Sequence, residues 1–326
     1  LNKLKNDDNL CLQLVEAVHV DKLSIPAAAK KLAIAQRSAY EFFGKEKKWM
    51  IAWWDEYESL TKDVNNPKVK ILFFDIETSP ILGNVWSLWQ QNVGLNQIQQ
   101  DWYVLSYAAK WQHEDEVIYE DKSGSWDSED DSELLKGIWK LLDEADIVIG
   151  QNSKRFDEKK LNARFILNGM KPPSSYRSID TLEIAKRHFG FTSNKLEYMS
   201  HKLCKKYKKL NHGKFAGFEL WKQCLAGNPE AWAEMEDYNK HDVLALEELY
   251  EILRPWYKAH PNLNVYHGET NNYCTCGESD WVHSGYHYTN LSKFDRFQCK
   301  ACGAEVRGRV NLLSKYKREN LNSNII

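Results

Sequence analysis

The stretch Lys70-Ile-Leu-Phe-Phe-Asp-Ile-Glu-Thr-Ser-Pro80 constrains this chain more than any other. Its β-branched and aromatic run, Ile71 to Ile76, reads as a buried strand that Ser79-Pro80 ends. Successive strand side chains point to opposite faces. Ile71, Phe73, Asp75 and Glu77 therefore share one face, and Leu72, Phe74, Ile76 and Thr78 share the other. Two acids project side by side from a strand otherwise suited to a core. Burying like charges at that separation is costly unless something neutralises them. A divalent cation removes the cost, and hard cations such as Mg²⁺ prefer carboxylate oxygen. A strand end at the surface, with both acids solvated, accounts for the same residues, so acids elsewhere in the chain must decide.

A chain of 326 residues has room for one sizeable core and one or two small modules. No run approaches the ~18 to 20 apolar residues of a membrane span, and Leu1-Asn-Lys-Leu-Lys5 lacks the apolar core of a signal peptide. Four of the seven cysteines crowd between Cys274 and Cys302, which suits a metal site in a reducing compartment better than a disulfide framework. The expected location is the cytoplasm, with no membrane partner. The net charge of −2 is unevenly spread: residues 112–146 hold 13 acids and 3 bases, 186–214 hold 9 bases and 1 acid, and 293–318 hold 8 bases and 2 acids. Two basic segments in a near-neutral protein fit a localised polyanion site.

Asp7 to Leu60 reads as a small helical unit. Leu10, Leu14, Val15 and Val18 follow helical spacing. Ser24-Ile-Pro26 starts a second helix, with Ser as N-cap and Pro in the first turn. Gln36 to Phe43 makes a third, ended by Gly44. Short helices around a tight turn look like a helix-turn-helix, and a plain packing module fits equally well. Trp49 to Leu60 reads as a further helix, and Thr61 to Lys68 as a linker.

In the main domain Asn84 to Trp89, Tyr103 to Trp111 and Glu116 to Glu120 suit the next strands, as an antiparallel meander. Ser128 to Ala145 is amphipathic, and Asp146 to Gly150 is a short strand. Gln151 to Asp157 follows that strand and opens a helix, with Leu161 and Phe165 on the same side as Asp157. A capping carboxylate is the plain reading of that acid. Ile179-Asp180 closes another strand, before helices at Thr181 to His188 and Asn194 to Lys206. Lys202, Lys205, Lys206, Lys208 and Lys209 cluster there, as a solvated face or as a phosphate-tracking surface.

Glu234 to Leu253 is the strongest helix. Met235, Tyr238, Asp242, Leu246, Leu249 and Leu253 fall on one line. Asp242 interrupts an apolar stripe, with Tyr238 one turn before it. An isolated buried Asp is destabilising by several kcal/mol or takes up a proton. A Tyr–Asp contact rescues it structurally, and a metal shared with other acids explains it better. The tail carries Cys274-Thr-Cys276-Gly277 and Cys299-Lys-Ala-Cys302-Gly303, a zinc-ribbon pattern of paired thiolates with glycine turns. One residue rather than two separates the first pair, so His267, His283 or His287 stands as an alternative ligand.

Asp-x-Glu on a strand, Asn152-x3-Phe-Asp157 at a helix start, and Tyr238-Asn-Lys-His-Asp242 on a late helix come in an order that resembles the DEDD superfamily of 3′–5′ exonucleases. That superfamily is the DnaQ-like branch of the RNase H-like fold. Phe-Asp75-Ile-Glu77-Thr is similar to the first motif of family B polymerase proofreading domains, and the third motif matches the tyrosine subtype. The resemblance spans about 70–256. It implies an α/β fold, an RNase H-like mixed sheet flanked by helices; the helix-turn-helix-like module before it and the zinc ribbon after it lie outside the resemblance. The expected boundaries are 1–66, 67–260 and 261–326.

Carried over residue by residue, the resemblance implies two Mg²⁺ or Mn²⁺ ions held by Asp75, Glu77, Asp157 and Asp242. Tyr238 would orient the attacking water. Thr78 and Asn152 would hold the terminal nucleotide. Apart from the resemblance, Lys205 and Lys206 of the basic cluster are candidates to contact the backbone. Outside the resemblance, the cysteine pattern itself calls for one structural Zn²⁺ among Cys274, Cys276, Cys299 and Cys302. The expected activity is metal-dependent 3′–5′ exonuclease hydrolysis of nucleic acid, DNA before RNA. A silent nucleic-acid binder on the same fold and a structure-specific endonuclease are the alternatives.

Overall fold

A computed structural model describes residues 8–19, 23–45, 69–90, 92–208, 213–266, 272–323 and 325. The chain divides into two compact units, Leu1–Lys68 with Val265–Thr270, and Val69–Asn264 with Asn271–Ile326.

The first unit contains α1 (Asp8–His19), α2 (Ile25–Lys31) and α3 (Gln36–Lys45). Leu14 and Ala17 pack with Ala28, Ala29 and Ala39, small side chains that let short helices approach closely. Ser24 caps α2, its Oγ accepting the Ala27 N–H at 3.4 Å. Ala33 turns the chain towards α3 with φ of 52°. α3 continues through Gly44 to Lys45 instead of stopping at the glycine. The helix expected at 49–60 and the linker at 61–68 lie outside the described residues.

The second unit is built on β1 (Ile71–Thr78), β2 (Leu82–Gly83), β3 (Ile98–Gln100), β4 (Val104–Trp111), β5 (Ile118–Asp121), β6 (Ile147–Gly150) and β7 (Arg177–Asp180). Its helices are α4 (Ser132–Glu144), α5 (Asp157–Leu167), α6 (Thr181–His188), α7 (Leu196–Leu203), α8 (Phe218–Leu225) and α9 (Pro229–Leu253). The central five-stranded sheet has the order β5-β4-β1-β6-β7. β4 and β5 are antiparallel neighbours, while β6 and β7 run parallel to β1. β1 therefore lies at the centre of a mixed sheet, which explains why its first four residues are all buried.

The two faces of β1 separate as strand alternation requires. Leu72, Phe74 and Ile76 pack with Leu135, Ile138 and Leu142 of α4 and with Leu161 and Phe165 of α5. On the other face Phe73 meets Tyr250 of α9 edge-on, ring centroids 5.5 Å apart. Burying each such side chain contributes roughly 1.5–3 kcal/mol. α9 crosses β1 and β4 on that face and joins Tyr103 and Leu105 to Trp232 and Met235.

Several expected boundaries move. Residues 84–89 form no strand: only Leu82–Gly83 pairs with β3, and Trp86 and Trp89 are 94% and 82% exposed, with no neighbouring strand to complete a ladder. α4 starts at Ser132, after a turn in which Ser128 Oγ accepts the Asp130 N–H and Asp130 accepts the Ser132 N–H. α7 ends at Leu203 because the N–H groups of Lys205, Lys206 and Tyr207 turn away to the Glu248 carboxylate. α9 begins at Pro229, five residues before the expected Glu234: Asn228 caps it, accepting the Glu230 N–H at 3.0 Å. α8 carries no strong signal in the sequence.

The tail forms a three-stranded antiparallel sheet, β8 (Trp281–Thr289), β9 (Ser292–Cys299) and β10 (Glu305–Arg307), followed by α10 (Lys315–Glu319). No helix among the described residues is long and apolar enough to cross a membrane.

Candidate active site

Asp75 and Glu77 stand on β1 on the face that α9 covers. Asp242 comes from α9 itself, with Tyr238 one turn before it and hydrogen-bonded to it. Asp157 arrives from the other layer. It is the first residue of α5, whose Leu161 and Phe165 pack on the opposite face of the sheet. A helix start lies at the edge of its layer, so the Asp157 carboxylate reaches the sheet margin and accepts the Ile76 N–H at 3.2 Å. The turn that delivers it leaves β6 at Gly150, where a Cβ would sit 2.4 Å from the Ser153 Cβ, so glycine is required. Asn152 then takes φ of 65°, with its N–H donated to Asp180 at 2.9 Å.

The electrostatics tie these acids together. The Asp75 pKa is raised well above its ordinary value, first by burial, then by the negative charges of Asp157, Glu77 and Asp242. Asp157, 4% exposed, is pushed up to about 7 by burial against the pull of the Ile76 N–H. The Tyr238 hydroxyl is shifted upward by burial and then by Asp242, Glu77 and Asp75, so it holds its proton. Crowding carboxylates in this way is unfavourable without a counter-charge. Among the described residues only the four cysteines bring three or more ligand atoms within 4.8 Å of one another, so these acids act on one another across wider gaps; their all-oxygen donor set is of the kind a hard divalent cation takes.

The sequence reading misses Asn239. The buried line of α9 runs through Trp232, Met235, Asn239, Val243 and Leu246, with Tyr238 and Asp242 beside it, both only partly buried. Fully buried, Asn239 donates to the Asp75 carboxylate at 2.7 Å and accepts from Ser106 Oγ at 3.1 Å. A polar residue four positions after Met235 was the available signal.

Thr78 borders a cleft of about 630 Å³, together with Trp102, Lys160, Phe218 and Trp221. Lys160 donates to Thr78 Oγ1 at 3.3 Å and lies 3.8 Å above the Trp102 ring. Trp221 meets Tyr238 edge-on at 6.2 Å, so the cleft adjoins the acids. Lys205 and Lys206 sit elsewhere: their N–H groups bind Glu248, on the order of 9 Å along α9 from Asp242. Lys209 lies outside the described residues.

The ligand atoms of Cys274, Cys276, Cys299 and Cys302 all lie within 4.8 Å of one another. The Cys274–Cys302 and Cys276–Cys299 sulfurs are 3.5 and 3.6 Å apart. Tetrahedral Zn–S bonds of ~2.3 Å put sulfurs about 3.8 Å apart, so the thiolates fit zinc without a histidine. His283 is directed to Asp295 at 3.1 Å, and His287 lies opposite Phe294 on the exposed hairpin. His267 lies outside the described residues.

Among known protein families, a sequence model of the RNase_H superfamily matches residues 72–254. A solved structure similar to this chain is the family B DNA polymerase from the hyperthermophilic archaeon Pyrobaculum calidifontis. Identity is 17%, coverage is 58% of this chain and 25% of that one, and the TM-score is 0.44. This chain thus spans about a quarter of that polymerase's length. No curated protein matches.

Proposed function

Because this chain belongs to the RNase_H superfamily, we propose that it is a metal-dependent nuclease, and specifically a 3′–5′ exonuclease of the tyrosine DEDD subtype acting on single-stranded ends, DNA before RNA. The observation that carries the reading is the Asp75 carboxyl, pressed on by Asp157, Glu77 and Asp242 from three separate parts of the chain. A protein that only bound nucleic acid would gain nothing from acids crowded where phosphates must approach.

Asp75, Glu77, Asp157 and Asp242 are the residues that would hold two Mg²⁺ or Mn²⁺ ions. Such ions supply hydroxide near neutral pH and charge relief on the leaving oxygen. Tyr238, protonated, orients the attacking water through its hydroxyl. Asn239 holds the Asp75 carboxylate in one orientation. Thr78 and the aromatic cleft beside it seat the terminal nucleotide, with Lys160 facing its phosphate. Asn152 lies at the turn that positions Asp157, and Lys205 and Lys206 contact the strand further away. The cysteine cluster holds one Zn²⁺ as a structural staple. The helical module before about residue 66 and the ribbon after about residue 260 flank the nuclease body, in a cytoplasmic protein.

Oligonucleotides of DNA and of RNA, labelled at either terminus, test this with and without Mn²⁺. Stepwise loss of nucleotides from the 3′ end is expected, abolished in Asp75→Ala and Asp242→Ala proteins that keep their circular dichroism. Full activity in either variant removes the assignment. Cleavage of a circular single strand makes the protein an endonuclease, and binding without turnover makes it a silent binder.

A further inference from the structure

Beyond the end of α9 a second cleft, of about 460 Å³, opens against the cysteine hairpin. It is lined by Arg254, Tyr257 and Lys258 from the chain that follows α9, and by Tyr273, Trp281, Arg307 and Arg309 from the tail. All of these belong to the second compact unit.

The charges in this cleft do not balance. Arg254 is paired with Glu251 at 2.5 Å. Glu305, the one acid on the lining, is 3.7 Å from Arg296. Lys258, Arg307 and Arg309 have no acidic partner among the described residues, so three uncompensated cations border one cavity. The Arg307 guanidinium lies 4.2 Å from the Phe294 ring centroid, which steadies it. Trp281 is fixed as well, its indole N–H donated to the Asn272 carbonyl at 2.7 Å.

Cations interleaved with aromatic rings are what an unpaired nucleic-acid strand uses: phosphates meet the charges and bases stack on the rings. A duplex hides its base faces and would leave the aromatic walls unused. The volume suits one nucleotide unit rather than a double helix. Arg254 lies on the order of 18 Å along the helix from Asp242. A strand whose end lies at the acids would reach the cleft several nucleotides in.

We propose that this cleft is a second contact for the substrate strand, gripping single-stranded nucleic acid several nucleotides from the end held at the carboxylates. The distance from the cut end rests on the nuclease reading; the binding itself does not.

The test is fluorescence anisotropy with full-length Asp75→Asn protein, so that the strand stays intact. The probes are a tetranucleotide and an oligonucleotide about 20 nucleotides long, single-stranded and duplex. The Arg307→Glu/Arg309→Glu double substitution and, in the segment after α9, Lys258→Glu should each weaken the long single strand at least about tenfold and leave the tetranucleotide unchanged. In the double variant the salt slope should fall by about 1.4, because two phosphates are no longer neutralised. Unchanged affinity for the long strand in both variants overturns the proposal. So does an equal loss on the tetranucleotide or an equal loss on the duplex. Binding through the cleft by a protein that cleaves nothing would sink the nuclease reading and leave this inference standing. Cleavage with unaltered binding by the variants would do the reverse.

Discussion

Asn239 and Asp75 lie 164 positions apart in the chain, and the amide of the first donates to the carboxylate of the second at 2.7 Å. The same amide accepts the Ser106 hydroxyl from β4, so three elements of the unit meet at one buried side chain. The Asn239–Asp75 bond also lowers the Asp75 pKa, against burial and three acids. Asn239→Leu keeps the branched outline of the side chain and removes both bonds. It should destabilise the protein by about 1–3 kcal/mol, because Ser106 loses its acceptor. It should also weaken Mn²⁺ binding, as read by calorimetry, even where denaturant melts show the variant folded.

The acid cluster predicts opposite effects of one substitution with and without metal. Without divalent ions, Asp75→Asn should raise the melting temperature, since a crowded carboxyl is replaced by a neutral isostere. With Mn²⁺ at about a hundred times its Kd, the parent gains roughly 2.7 kcal/mol and the variant much less. Thermal melts with and without Mn²⁺ decide it.

Asp131 is a structural centre away from the acids. Fully buried at its side chain, it receives Arg164 at 2.6 and 2.8 Å and the Val104 N–H at 3.0 Å. Asp131→Ala leaves a largely buried guanidinium and a buried N–H unpaired. The expected loss is about 3–5 kcal/mol in urea unfolding.

His260 gives the unit a pH-dependent stability. Burial, with Arg254 adding to it, holds its pKa at about 4 rather than the ordinary 6.5, against the pull of the Pro261 carbonyl. Its Nε2 is 2.6 Å from the Tyr250 hydroxyl. The unfolded chain therefore binds the proton more readily. Stability is fully present above pH ~6.5 and falls as the pH drops towards ~4, by about 3 kcal/mol in all. Unfolding free energies across this window should slope upward with pH, and His260→Gln should flatten the slope.

The cysteine cluster predicts one Zn²⁺ per chain by elemental analysis. Cys276→Ser should lower that stoichiometry, and the hairpin amides should lose hydrogen-exchange protection before those of the central sheet.

Much of this molecule is legible one segment at a time. Alternation along residues 71–78 places Phe73 with Asp75, and Tyr250 does cover that face. The spacing of the cysteines announces their cluster, and Ser24 and Pro26 announce α2. These signals lie between near neighbours, where backbone geometry alone decides which side chains share a side. The α9 cap at Asn228-Pro229 is equally local, although the apolar stripe that marks this helix begins only further along it.

What the amino-acid order determined by itself was periodicity: which residues are apolar together, where a helix can start, and which acids or thiols stand close along the backbone. What only the tertiary structure decided was company. The stripe on α9 centres on Asn239 rather than on Tyr238 and Asp242, because β1 and β4 set the angle at which the helix rests. Lys160 meets Trp102 and Thr78 because α5 starts beside the margin of β1. Arg307 and Lys258 border one cavity because the hairpin folds back against the end of α9. Such pairings depend on packing between segments far apart in the chain, and no local repeat encodes them.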